Sequence, residues 1–248
     1  MTAFRITAEE SIAIQQHAVR DFPNEACGAL TPAGYLPLPN RHPDPTRYFD
    51  CASDVAELQI AGTLRAVVHS HVNRNPGPSS DDMIQQMAMD IPWGIVLTDG
   101  ETARLPFFWG DMLEPPPLLG RKFRHGPSGT DGRGDCYALI RDWYRMTLGI
   151  NLVEGPRDDN WWEAGQNLYL ANFERAGFVV SPDGARNPLP GDVVLIHEFG
   201  AVPAHAGVYV GNGLFMHHLA NRLSRREPTG PYLASFERWI RHVGNGPR

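Results

Sequence analysis

The string His69-Ser70-His71 is followed, after seven residues, by Ser79-Ser80-Asp81-Asp82. Residues two apart on a strand point to one face. His69 and His71 can therefore offer two imidazoles to one cation. Asp82, in the first turn of a following helix, can bring a carboxylate to the same point. Two nitrogens, one oxygen and an open fourth position are the pattern of catalytic zinc, which lowers the pKa of a bound water to about 7. A carboxylate must then shuttle the proton, and Glu25 in the string NEACG is the candidate. Each piece by itself has an ordinary explanation. An H-x-H is often two surface histidines, and Ser79 with Asp82 is also a helix-capping box. Their order and spacing together set them apart from each ordinary explanation.

A second set centres on Cys136, between a glycine-rich loop, HGPSGTDGRGD, and a helical run. A thiol at a helix N-terminus feels the helix dipole, which favours thiolate. A nucleophilic cysteine needs a base, and the base needs an orienting partner. His205 begins the strand-like AHAGVYV, and His217 ends the next strand after the GNG turn. The ordinary alternative for Cys136 is a buried, inert thiol. Asp135 reads as a cap or a helper, His218 as a bystander, and Cys27 and Cys51 as structural. The pair Trp161-Trp162 reads as core rather than as a substrate platform.

The elements that must hold these residues follow from periodicity. Thr7 and Glu10 make a capping box for a first helix that runs to about Arg20 and is ended by Pro23. PLPNRHPDPTRYF is too proline-rich for a central strand. SDVAELQIAGTL and SSDDMIQQMAMD read as helices, RAVVHSHV and WGIVLTDG as strands. CYALIRDWYRMTLGI is an amphipathic helix with Ala138, Leu139, Trp143, Tyr144 and Met146 on its apolar side. WWEAGQNLYLANFERAG reads as a further helix with Gly177 just past its end. DVVLI, AGVYV and LFMHH read as strands. The fold class is α+β, with an α/β-like first half. Glu114-Pro115-Pro116-Pro117 is the best linker, which divides the chain into residues 1–112, a linker at 113–119, and residues 120–248.

Composition agrees with two units. Of 248 residues, 1–113 carry 14 acidic and 7 basic side chains, and the rest carry 14 and 15. The net charge of -6 argues against nucleic-acid binding. Three cysteines argue against a disulfide framework and for a reducing compartment. MTAFRITAEE has no apolar signal core, and no stretch is apolar enough for a membrane helix, so the chain is expected in the cytoplasm where it is made.

In its order and spacing, the first set resembles the motif of JAMM zinc metallopeptidases over about residues 1–112, including Asn40, Pro45 and Phe49. The resemblance implies a JAMM fold with Glu25 as general acid/base, His69, His71 and Asp82 as zinc ligands, and Ser79 steadying the oxyanion. The strings GDCYALIRDWY, PGDVVLI and HAGVYVGNGLFMH resemble NlpC-type cysteine peptidases of peptidoglycan over roughly 120–248. That implies a papain-like fold in which Cys136 is the nucleophile, His205 its base and His217 the residue that orients His205. One departure is visible: many such peptidases carry a tyrosine about twelve residues before the cysteine, where this chain has Phe123, Arg124 and His125.

The two modules in succession resemble the tail-tip assembly proteins of lambda-like phages. This implies a chain assembled in the host cytoplasm and carried in the virion tail tip, with hub and tail assembly proteins as partners. The cysteine module would cut peptidoglycan stem peptides. The metal module would process a tail protein or cut an isopeptide-like bond. Two other readings stay open: a structural tail component built on enzyme folds, and a bacterial cytoplasmic JAMM processing peptidase.

One geometric expectation is independent of the resemblance. For His217 to meet His205, both must lie on one face of their hairpin. A plain two-residue turn at Asn212-Gly213 puts them on opposite faces. A three-residue turn, or a bulge, sets Gly207 opposite His217 and brings them together.

Overall fold

The computed structural model describes residues 4–72, 75–197 and 202–245. Its contacts divide the chain into two units: residues 1–114 with 129–131, and residues 115–128 with 132–248.

The first unit runs α1 (Ala8–Asp21), β1 (Cys27–Thr31), β2 (Gly34–Leu38), α2 (Ala52–Ile60), β3 (Ala66–Val72), α3 (Ser80–Met89), β4 (Trp93–Thr98) and β5 (Phe107–Trp109). Thr7 starts α1 as expected: its hydroxyl accepts from the Glu10 amide at 3.1 Å, and the Glu10 carboxylate accepts from the Thr7 amide at 2.8 Å. The sheet order is β2-β1-β3-β4-β5. Only β3 and β4 are parallel among the described pairs, joined through α3, and the rest are antiparallel. The proline-bearing β2 lies at an edge, where a missing amide costs least. Alternation along the strands makes two apolar faces. Leu30, Val68, Val96 and Phe108 pack on Ile14 and Ala18 of α1. Cys27, Ala29, Val67, Trp93 and Ile95 pack with Val55 of α2 and with Cys51. β5 was not foreseen; its edge is met by Thr130, whose amide donates to the Phe108 carbonyl and whose hydroxyl accepts from the Phe108 amide.

The second unit runs α4 (Cys136–Leu148), α5 (Leu168–Asn172), β6 (Phe178–Val180), β7 (Val193–Ile196), β8 (His205–Gly211), β9 (Leu214–His217), β10 (Arg225–Pro228) and β11 (Phe236–His242). Its antiparallel sheet has the order β10-β9-β8-β7-β11-β6. Leu139, Ile140, Trp143 and Tyr144 of α4 bury against Val193, Leu195, Ala206, Val208 and Met216. Met146, expected on that buried side, is exposed. The long helix expected from Trp161 shrinks to α5. Gly165 takes a left-handed backbone (φ 75°), and the Asn167 side chain then caps a new start by accepting from the Leu170 amide at 3.2 Å. A residue that supplies φ > 0 and a good cap together favour a break over one continuous helix. β6, β10 and β11 lacked a readable alternation and were not foreseen.

Both units mix helix with strand, the first around a partly parallel sheet and the second around an antiparallel one, as the α+β expectation required. No described helix is long and apolar enough to cross a membrane.

Candidate functional site

His69 and His71 sit on β3, with their Nε2 atoms 3.1 Å apart. Asp82 reaches them from the first turn of α3: its Oδ1 is 3.4 Å from His69 Nε2 and its Oδ2 3.6 Å from His71 Nε2. The capping box and the site are one device. Ser79 donates to Asp82 Oδ2 from its amide (2.8 Å) and its hydroxyl (2.7 Å), which fixes the carboxylate toward the imidazoles. Cys27 pairs with His69, and Ala26 brackets Ser70 with two hydrogen bonds of 2.8 Å. Continued one step, that register sets Glu25 beside His71. Paired positions share a face, so the buried Glu25 carboxylate shares the face of the two histidines. Its backbone is tied down by Asn40, whose side-chain amide donates to the Glu25 carbonyl at 2.8 Å, and by its own amide, which donates to the Pro45 carbonyl at 2.7 Å.

These residues suit a metal ion. His71 Nδ1 lies 3.1 Å from the Asn75 carbonyl oxygen, an acceptor only, so Nδ1 carries the hydrogen and Nε2 turns a lone pair to the cluster. His69, His71 and Asp82 are all buried, and their ligand atoms lie within 4.8 Å of one another. Burial by itself raises the Asp82 carboxyl. The neighbouring imidazoles, His69 first, more than reverse this and hold it far below the usual carboxylate range. A permanently ionised oxygen beside two imidazole nitrogens is a donor set for a divalent cation.

In the second unit Cys136 is the first residue of α4, capped by Asp135, whose Oδ1 accepts from the Ala138 amide at 2.9 Å. Arg157 grips the same carboxylate through Nε at 2.7 Å and Nη2 at 3.0 Å. The helix dipole does not make Cys136 a ready thiolate. Burial pushes the Cys136 thiol up to about 11, and the Asp135 charge adds to it, against hydrogen bonds from Tyr169 and the Ala206 backbone. The acid that caps the helix offsets the positive end on which the thiolate would depend.

Gly207 lies opposite His217, as the parity argument required. Asn212 and Gly213 form the two-residue turn, both left-handed (φ 54° and 72°). The parity is restored by a bulge between Tyr209 and Gly211, at Val210. His205 Nε2 is then 3.0 Å from His217 Nδ1, and His217 Nε2 is 2.7 Å from Glu227 Oε2. Tyr232 donates to the same Glu227 oxygen at 2.6 Å. The carboxylate accepts from His217 Nε2–H, which makes Nδ1 an acceptor for His205 Nε2–H and leaves the lone pair of His205 on Nδ1. Burial pushes His205 down to about 3, with His217 and His218 adding to it, so its imidazole is neutral.

Cys136 and His205 line one cavity of about 390 Å³ together with Tyr169, Trp161, Trp162 and His218. The two tryptophans, read from sequence as core, are walls of this cavity. Tyr169 Oη lies 3.1 Å from Cys136 Sγ. Cys27 and Cys51 are buried free thiols in the first unit's core. Sequence reading missed Glu227, which lies on the unforeseen β10, and Tyr169, hidden in a segment taken for one helix. It had no signal for either, since each reaches the site only through tertiary packing.

Family models match both halves. Residues 8–109 match the prokaryotic homologs of the JAB domain, and residues 120–242 match the NlpC/P60 family. The chain is similar to tail tip assembly protein K of Escherichia phage lambda, 37% identical over 174 residues (70% of this chain, 79% of that protein). It is similar also to tail tip assembly protein K of Escherichia phage N15, 33% identical over 227 residues (89% of this chain, 88% of that protein). Among solved structures it is similar to NlpC1 from Trichomonas vaginalis, at 26% identity and a TM-score of 0.36, covering 50% of this chain and 39% of that one. An NlpC/P60 family protein from Bacillus cereus is 17% identical with a TM-score of 0.36, covering 92% of this chain and 66% of that one. A JAB-type domain followed by an NlpC/P60 domain, matched over most of the length of two phage relatives, places the chain in the family of tail tip assembly protein K.

Proposed function

We propose that this chain is a tail-tip peptidase whose cysteine centre hydrolyses stem peptides of peptidoglycan, and whose His69, His71 and Asp82 hold zinc in a second peptidase centre. The observation that carries the reading is the chain of contacts His205–His217–Glu227, whose first member lines one cavity with Cys136. Cys136 is the nucleophile and His205 Nδ1 the base. His217 holds the His205 ring and its tautomer, and Glu227 does the same for His217. A raised thiol beside a neutral imidazole describes a resting pair without charge separation. The proton therefore passes to His205 as sulfur attacks, rather than before.

In the first unit Glu25 moves protons between water and the leaving amine, and Ser79 fixes Asp82. Zinc there supplies Lewis-acid polarisation of a peptide carbonyl. The chain works with hub and tail assembly proteins, in the host cytoplasm during assembly and then in the virion tail tip, and its two domains are joined by a Pro-rich linker at 113–119. The decisive experiment is digestion of purified cell-wall sacculi. Wild type should release soluble muropeptides and Cys136→Ala should not. Sacculi left intact by freshly purified wild type would instead favour a structural role.

A further inference from the structure

We infer that Tyr169 is a catalytic residue of the cysteine centre, its hydroxyl serving as the donor that holds the sulfur as negative charge develops on it. The inference rests on Cys136 being the nucleophile proposed above. Tyr169 Oη is 3.1 Å from Cys136 Sγ, and it joins the Ala206 backbone as a hydrogen-bonding partner of that sulfur, the one such partner that a side chain supplies among the described residues. The need for a donor is local. Cys136 is buried, and the nearest carboxylate, Asp135, opposes a negative sulfur. Arg157 lies near, but its guanidinium is spent on Asp135 and Glu154. A charged sulfur in so dry a place needs a hydrogen bond aimed at it beforehand.

Tyr169 is built to supply one. Its ring packs edge-on against Trp161 (centroids 5.9 Å apart) and Tyr137 (6.4 Å). Its helix is started by the Asn167 cap. Burial and the neighbouring Cys136 and Asp135 hold its phenol well above the usual tyrosine range, so it stays a donor wherever the protein is folded.

The step balances without a further reactant. Sγ forms a bond to the carbonyl carbon, the thiol proton passes to His205 Nδ1, and the π pair moves to the carbonyl oxygen. The tetrahedral species collapses as the C–N bond breaks and the amine takes the proton from His205. Water then adds to the thioester carbonyl as its proton passes to His205; the C–S bond breaks to release the acid, and the sulfur takes the proton back from His205. Tyr169 keeps its proton throughout.

The test is Tyr169→Phe in the full chain, which keeps the ring against Trp161 and Tyr137 and removes only the hydroxyl. Two readouts are needed: kcat and KM on soluble muropeptide, and the rate of Cys136 alkylation by iodoacetamide, read by mass spectrometry at pH 8. We expect kcat and the alkylation rate each to fall by about tenfold to a hundredfold, the worth of one hydrogen bond to a charged group, with KM and the melting temperature near wild type. Wild-type values of kcat and alkylation rate in Tyr169→Phe overturn the inference and leave the cysteine-peptidase reading standing. A wild type inert on walls, but with alkylation slowed by Tyr169→Phe, sinks the substrate reading and keeps the Tyr169 contact. If Tyr169→Phe loses its fold, Tyr169→Leu and Tyr169→Gln decide the matter: slow alkylation confined to leucine, which has no hydrogen to donate, supports the inference, and equal rates in the two overturn it.

Discussion

At Cys136 and His205 two pKa displacements of opposite sign have measurable consequences. The thiol is surrounded by Asp135, which opposes ionisation, and by Tyr169, Arg157 and the Ala206 backbone, which favour it. With the thiol at about 11, iodoacetamide labelling of Cys136 should climb about tenfold per pH unit from pH 7 to pH 10, without a plateau near neutrality. A plateau at pH 7 would mean a preformed ion pair with His205. For His205 the folded value, about 3, lies below the unfolded one near 6.5. The unfolded chain therefore binds the extra proton first. The stability that a neutral His205 contributes is fully present above about pH 6.5 and drains away as pH falls toward 3. We expect His205→Gln to flatten part of the decline in melting temperature between pH 7 and pH 4 while abolishing wall hydrolysis. Glu227→Gln should lower kcat by roughly tenfold with little change in KM, since it weakens the hold on His217 without touching substrate.

Two elements do the positioning, and each can be broken without altering a reacting group. The first is the α3 cap. Ser79→Ala removes a cap worth about 0.5–2 kcal/mol and one of the donors that aim Asp82. Metal affinity should fall by roughly 10–100-fold, the usual cost of losing an outer hydrogen bond to a ligand, measurable by competition with a chelating dye. His71→Ala, which removes a ligand itself, should reduce bound zinc from about one per chain to near none by elemental analysis. The second element is the β8–β9 hairpin. A Cβ at Gly207 would lie 2.5 Å from a Phe215 ring carbon and 3.1 Å from His217 Cβ. Gly207→Ala should therefore cost about 1–3 kcal/mol by overpacking and push His217 away from His205. Deleting Val210 removes the bulge and turns His217 to the other face. Either variant should lose wall hydrolysis while binding metal as wild type does.

For the molecule, the relevant fact is that each unit has its own core and its own candidate centre. Chelation of metal should then leave muropeptide release unchanged, and Cys136→Ser should leave zinc content unchanged. Loss of wall hydrolysis on chelation, with the fold intact by circular dichroism, would mean that the centres depend on each other. The contact boundary falls between Glu114 and Pro115, within the Pro-rich stretch, yet residues 129–131 return to the first unit through Thr130 and the β5 edge. A fragment ending at Glu114 leaves that edge uncovered, and it should melt below the first transition of the full chain.

Local rules settled much of this chain. Strand periodicity put His69 and His71 on one face, a capping box put Asp82 in the first turn of α3, and strand parity required an irregularity between His205 and His217. Each follows from a repeat of 2 or 3.6 residues, or from a hydrogen bond spanning three positions, so a short window contains it. What packing alone decided is long-range. It chose the bulge at Val210 over a longer turn, brought Glu227 to His217 from an unforeseen strand, and carried Tyr169 to Cys136 across 33 positions. The ionisation of Cys136 belongs there too. The helix end, visible in sequence, favours thiolate, but burial and the Asp135 carboxylate reverse it. Desolvation is set by everything packed around a group, and no window of neighbouring residues holds that information.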